Sequence, residues 1–448
     1  MQKTLKVERI FFNIERINIK LNQITANNNM PKKKYHINSF FAGIGGFDVA
    51  FEKQGFSTSL LCEINPFCNQ ILNRHWPNVM KEGDINTIKV ENIPDVELWC
   101  GGFPCQDISV ARGASERLGL KGKRSGLFYR FADLIEQKMP EVVIIENVAG
   151  LFTSNNGRDF GVILQTLSSL GYCVAWRLLN SRYFGVPQSR TRVYLCCWKN
   201  NPVKALNVMF DAQGAFKPAN ERKDFITEES LIEEYPKVPK VAYCLAASSG
   251  RHTGTDWSRT YVVCKDGVRR LSPLESERLQ GFPDNWTLPT DESVNDDNIN
   301  TLRYTAIGNA VSVPVVEWIA TRVKTQLARR DNLDDFENAL TQFNDLIESK
   351  WSDSRLSNID FTDTTKDYKW KRGGIAWRDR VLECNISPTP ANAIPSSLLK
   401  LIEKDQNNPV YYLSPNAAEG ILRRVDGQKR TLFHPLRIAL EKLSTRNI

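Results

Sequence analysis

Short apolar runs alternate with amphipathic stretches from about residue 36 to 200. HINSFFAGIGG (36–46) has the form of a strand running into a glycine turn, and FDVAFEKQG continues it as a helix that Gly55 can stop. STSLLCEI is a second strand. NPFCNQILNRHW follows as a second helix, with Asn65 at the cap and Pro66 at its first position. VELWCGG and EVVIIEN are further strands, and the unbroken VVII run is what a central parallel strand buried on both faces requires. RSGLFYRFADLIEQK places a helix between them. Such strand–helix alternation predicts an α/β fold built on a doubly wound sheet.

Beyond residue 200 the periodicity weakens. LSPLESERLQGF predicts a short helix opened by Ser272 and Pro273, and SVPVVEWIATRVKTQLARR a long amphipathic one. DNLDDFENALTQFNDLIESKW (331–351) predicts another helix with an acidic start. About a hundred mixed residues follow, with Pro-containing turns at 387–390 and 394–395. The resulting division is a basic extension (1–34), a catalytic segment (35–200), a variable segment (201–268), helices that complete the catalytic domain (269–330) and a C-terminal region (331–448).

Composition narrows the function classes. The chain has 448 residues, 41% of them hydrophobic and 25% charged, which is ordinary globular composition and long enough for two or three domains. No run approaches the roughly 18 apolar residues of a membrane span, and the N-terminal stretch lacks an apolar core and cleavage site, so neither a membrane protein nor a secreted one is expected. Ten scattered cysteines in such a chain point to reduced thiols, and with four histidines and no CxxC or HExxH no metal site is expected. The net charge of +8 permits a polyanionic partner. Much of it lies in residues 1–34, where eight basic side chains face only Glu8 and Glu15; this extension is either a solvated tail or an arm on phosphates, and Met30 is an alternative start.

Four constellations carry candidate chemistry. FAGIGGF (41–47) is a glycine turn between strand and helix, suited to close approach of a ligand to backbone N–H groups. Glu63 ends the next strand, where a carboxylate can take both hydroxyls of a ribose, and Asp84 follows the third strand, within the logic of an adenine amino group. Helix capping and turn formation are the alternative roles of these residues. Pro104-Cys105-Gln106 puts a thiol on a loop at the carboxyl edge of the sheet. Glu146 directly follows an apolar strand, where a carboxylate belongs at a site and not in a core. Arg190 and Arg192 alternate in QSRTR so as to face one side of a strand.

GGFPCQDIS, IIENV, QSRTRVY, RRLSPLESERLQGFPDNW and YTAIGNAVSVPV, in this order after FAGIGGF, closely resemble the motif series of DNA (cytosine-5) methyltransferases across residues 36–322. The resemblance implies a Rossmann-like, S-adenosyl-L-methionine-dependent sheet with a smaller target-recognition domain. It implies that the Cys105 thiolate attacks carbon 6 of a flipped cytosine, that Glu146 supports protonation at N3, and that Arg190 and Arg192 hold the base and its phosphate. Phe41, Gly43, Gly45, Glu63, Asp84, Pro104 and Asn309 fall on cofactor-contacting positions, and Gln106 and Ser109 on the loop that closes over the base. The implied partner is double-stranded DNA, with a restriction endonuclease as a functional companion. A monomeric, cytoplasmic, nucleoid-associated enzyme is expected.

The chain departs from that pattern between QSRTR and RRLSP. The interval in which target recognition usually resides is short here, about residues 199–268, and YYLSPNAAEGILRR (411–424) resembles a segment found inside that region in some phage and prophage members. A relocated recognition segment at about 345–448 follows as an expectation, with Arg423 and Arg424 on DNA; an unrelated C-terminal helical domain is the alternative. Loss of sequence-specific methylation on deleting 345–448 is the corresponding expectation. A tRNA cytosine-5 methyltransferase of the same fold would carry a CFT-type signature, which is absent, and a catalytically silent DNA-binding module would have lost Pro104, Cys105 or Glu146.

Overall fold

The structure, a computed structural model, describes residues 33–104, 126–211, 223–228, 235–250, 256–289, 297–329, 341, 355–358, 367–378 and 380–445. The basic extension (apart from Lys33 and Lys34), the loop carrying Cys105, Gln106 and Ser109, and the acidic helix expected at 331–351 (apart from Thr341) lie outside these residues. The chain divides after Lys34, and Tyr35–Ile448 is one unit.

The first half alternates as the periodicity predicts: β1 His36–Phe40, α1 Gly46–Lys53, β2 Ser57–Cys62, α2 Pro66–His75, β3 Met80–Glu82, β4 Leu98–Gly101, α3 Leu127–Lys138 and β5 Val142–Val148. Asn65 caps α2 by accepting from the Cys68 N–H at 3.0 Å, with Pro66 at the first turn. There follow α4 Arg158–Ser169, β6 Tyr172–Asn180, β7 Thr191–Lys199, α5 Pro202–Met209, a hairpin of β8 Tyr261–Val263 and β9 Val268–Arg270, α6 Pro273–Gln280, α7 Asp297–Asn309 and α8 Val313–Ala328. Ser272 and Glu275 close a reciprocal capping box on α6. The C-terminal part adds β10 Arg355–Asn358, β11 Gly373–Trp377, β12 Arg380–Cys384, α9 Pro415–Gly427 and α10 His434–Ser444.

One ten-stranded sheet runs β10-β12-β11-β6-β7-β5-β4-β1-β2-β3. β1 to β5 are parallel, while β7 is antiparallel to both β5 and β6. This is the Rossmann-like arrangement expected, with its switch point at β1, between β2 and β4. Alternate residues of β5 bury opposite faces. Val142 and Ile144 pack with α1, α2, α5 and α8, whereas Val143 and Ile145 pack with α3 and α4. The three layers follow directly from that period of two. Among the described residues no helix is long and apolar enough to cross a membrane.

The C-terminal region divides into two parts. Its strands lie in the catalytic sheet, β11 pairing antiparallel with β6 from Gly373↔Arg177 to Ala376↔Val174. Arg177, 2% exposed, ties the following segment down by donating to the carbonyls of Ser387 and Thr389 and to Asp211 at 3.0 Å. Its helices instead share a small apolar core with the hairpin, in which Tyr261, Val263 and Val268 meet Leu413, Ile421, Val425, Leu436 and Leu440. Deleting 345–448 therefore removes strands of the catalytic sheet together with these helices, so that deletion does not isolate recognition.

Burial also traps one acid. Asp48 on α1 is fully buried, accepts from Thr58 Oγ1 at 3.2 Å, leaves Oδ2 without a partner, and is pushed up to about 7 chiefly by desolvation. An acid whose folded pKa is raised keeps its proton where the unfolded chain has lost it, so its contribution to stability declines as pH rises from about 4 to 7. Asp48→Asn is expected to stabilise the protein at pH 8 relative to pH 5, by on the order of 2 kcal/mol. Denaturant midpoints of both proteins at the two pH values check this; a pH-independent difference refutes it.

Candidate active site

The switch point opens into a cleft of about 470 Å3. Each parallel strand delivers a residue at its carboxyl end: Phe41 after β1, Glu63 after β2, Asp84 after β3, Pro104 after β4 and Glu146 near the end of β5. Because β7 runs the other way, its first residues come to the same edge, with Arg192 opposite Val148. Arg190 and Arg192 therefore join the wall, as does Asn309 at the end of α7. Gly45 lies behind that wall, capping α1 in a left-handed conformation (φ 80°) where a side chain would collide with Trp76. Arg423 and Arg424, on α9, do not line the cleft.

One half of the cleft presents carboxylates and apolar surface. The Gly43 N–H donates to Glu63 Oε2 at 2.8 Å and the Asn65 N–H to Oε1 at 2.7 Å, fixing the carboxylate at the mouth of the glycine turn. Asp84 accepts from the backbone and side chain of Asn86, both at 2.9 Å. Ile64, 69% exposed and the most exposed large apolar side chain among the described residues, lines the same cleft.

The other half is cationic and buried. Arg192 Nε stands 3.1 Å from Glu146 Oε1, off the line of a good hydrogen bond, so this oxygen keeps an unfilled acceptor position. Burial raises the Glu146 pKa, and Arg192 and then Arg190 oppose that rise. Arg190 is used differently from Arg192. Its guanidinium donates to the carbonyls of Leu245 at 2.9 Å, Gly308 at 3.2 Å and Ala310 at 2.8 Å, binding the start of β7 to the Leu245 loop and to the end of α7. At their crossing Gly308 has no room for a Cβ, which would lie 2.3 Å from the Ala246 carbonyl carbon. Asn147 donates to the Phe103 carbonyl at 3.0 Å and so anchors the strand end that leads into Pro104 and Cys105.

Several contributors were not singled out from sequence. Cys244, half-buried, accepts from Arg190 at 3.7 Å and from Arg192 at 3.9 Å, joining the two guanidinium groups. Gln188 and Gln280, both fully buried, bond each other at 3.2 Å, and Gln280 reaches the Ile307 carbonyl at 2.9 Å. Their presence within QSRTR and RLQGF was the available signal. Cys244 offered none, because its role arises from a contact more than fifty residues away in the chain.

The sequence model of the family described as C-5 cytosine-specific DNA methylase matches residues 35–242 and 219–325. The chain belongs to the C-5 cytosine-specific DNA methylases. The methylase is 33% identical over 325 residues to Type II methyltransferase M2.BsuMI of Bacillus subtilis (strain 168), covering 67% of this chain and 78% of that one. It is 32% identical over 308 residues to Type II methyltransferase M.NgoBI of Neisseria gonorrhoeae, covering 64% and 92%. Both alignments leave about a third of the methylase unmatched, and the family match ends at residue 325. These relatives do not favour the tRNA-directed alternative.

Proposed function

We propose that this methylase transfers a methyl group from S-adenosyl-L-methionine to carbon 5 of a cytosine flipped out of a specific duplex DNA sequence, with Cys105 as nucleophile. The carrying observation is Glu146, buried, raised in pKa and with an unfilled oxygen, in the same cleft as Pro104 and the two acids of the cofactor half. Glu63 suits the ribose hydroxyls of the donor, Asp84 its exocyclic amine, and Ile64 and Phe41 its purine. The donor supplies an electrophilic methyl group on a sulfonium. Every other demand falls on the chain.

Carbon 5 of cytosine is a poor nucleophile. Bond formation between the Cys105 thiolate and carbon 6 moves electron density onto carbon 5 and N3, and Glu146 in its acid form places a proton at N3 as that charge builds. Carbon 5 then takes the methyl group and loses its proton to a base, the C6–S bond breaks to restore both ring and thiolate, and N3 returns its proton to Glu146. Arg192, 15% exposed, can meet the extruded nucleotide while holding Glu146 in place; Arg190 positions the strand that carries it. The target must leave the stack because carbon 6 is inaccessible within the duplex.

Recognition is assigned to the hairpin together with α9 and α10. Arg270 supports this by linking the Gly250 carbonyl at 2.5 Å to that of Val410 at 3.0 Å, and Leu413 pairs with Val268. The loop so held carries Cys244 and Leu245, the partners of Arg190. On α9 Arg423 is exposed and Arg424 half-buried. Bisulfite sequencing of DNA from a host expressing the methylase is expected to reveal one methylated cytosine context. Arg423→Ala combined with Arg424→Ala is expected to weaken duplex binding and lower the salt dependence of log Kd by about 1 per lost phosphate contact. Absence of C5 methylation refutes the activity; an unchanged salt slope refutes the α9 contacts. A restriction–modification role, a monomeric state and a nucleoid location complete the reading.

A further inference from the structure

The glycine turn of the cofactor half is gripped from a distant part of the chain. Trp286, 9% exposed and following α6, donates its indole N–H to the Ile44 carbonyl at 2.9 Å. Its ring stacks on His75 of α2, with centroids 3.4 Å apart and planes 3° from parallel, and meets Trp76 edge-on at 5.7 Å. The bond between His75 and the Trp286 carbonyl, 3.0 Å, must run from Nε2–H, since a carbonyl only accepts. Arg74 holds the next turn through the Leu288 carbonyl. The last turn of α2 thus fixes the indole, and the indole fixes one peptide of the turn.

That peptide lies between two residues of positive φ, Gly43 at 57° and Gly45 at 80°. Within the turn the N–H of this same peptide, that of Gly45, donates to the Ala42 carbonyl at 2.9 Å, and the indole holds its carbonyl end from outside. Its direction matters because the Gly43 N–H, two peptides earlier in the same turn, is the one that orients Glu63. We infer that Trp286 is a positioning residue for donor binding, holding the Ile44 carbonyl away from the cleft so that the turn and the Glu63 carboxylate are arranged before the donor arrives. This inference rests on the methyl-transfer reading above.

The test is calorimetric titration with S-adenosylhomocysteine. Trp286→Phe keeps an aromatic ring on His75 and removes the donor. Substitution of position 286 by benzothienylalanine keeps the bicyclic shape and also removes the N–H, so it serves if the Phe variant fails to fold. Either change is expected to weaken binding about fivefold to tenfold, the factor of one net hydrogen bond. The KM for S-adenosylmethionine should rise by the same factor, with the KM for DNA and the turnover number at saturation unchanged. Wild-type affinity in either folded variant, or a parallel loss in both substrates and in turnover, overturns the assignment. A wild type that binds no S-adenosylhomocysteine removes the methyl-transfer reading and this inference together.

Discussion

Cys105→Ser is expected to bind the target duplex as tightly as the wild type while turning over at least ~10³-fold more slowly, because a hydroxyl cannot replace a thiolate as nucleophile at neutral pH. Phosphate contacts and the recognition surface are untouched by the change, so a gel-shift titration should superimpose on that of the wild type. A duplex with 5-fluorocytosine at the target should trap the wild type in a denaturant-resistant adduct, since carbon 5 then has no proton to lose, and Cys105→Ser should form none. Pro104 already places the chain in the cleft beside Glu146 and Arg192. An adduct formed through another cysteine would refute the assignment; among the described ones, Cys244 is the thiol to examine first, being half-buried against two guanidinium groups.

Replacing Glu146 is the second large effect. Glu146→Gln should slow single-turnover methylation by about 10²–10³-fold, the scale of a lost donor at a site of developing charge. The pH dependence distinguishes its role from mere packing. Burial holds the Glu146 carboxyl above the ordinary carboxylate range, and the acid form is the one that supports N3. The rate should therefore fall as pH rises through the Glu146 pKa. Arg192 favours the charged form, so Arg192→Gln should move that fall to higher pH, and Glu146→Gln should abolish it. Near-normal turnover in Glu146→Gln, or a pH profile indifferent to Arg192, would remove the proposed role.

Local rules carried the first half of the fold into view. The VVII run, the Asn65 and Ser272 caps and the acidic residues at strand ends are properties of a few neighbouring residues, and these elements formed where expected. β11 was not legible, and its reason is specific. Local propensity makes the paired glycines of RGGIAW a turn, yet a Cβ on Gly374 would lie 2.4 Å from the Trp176 ring and one on Gly373 would lie 2.6 Å from Ile386. The Trp176 constraint sits some two hundred residues upstream, beyond any window of periodicity. The same limit governs the site. Glu63 and Glu146 announced themselves as carboxylates after apolar strands, whereas the division of labour between Arg190 and Arg192 depends on carbonyls of Leu245, Gly308 and Ala310.

The pairing of β11 with β6 also bears on when the enzyme is finished. During synthesis β6 emerges with one edge open, and its partner arrives only after residue 376 has left the ribosome. The Arg177 guanidinium waits longer still, for the carbonyls of Ser387 and Thr389. A nascent chain can therefore carry every methyl-transfer motif and still lack a completed core. A chain ending before residue 373 would leave that edge of β6 without its partner strand and the Arg177 guanidinium without two of its carbonyls.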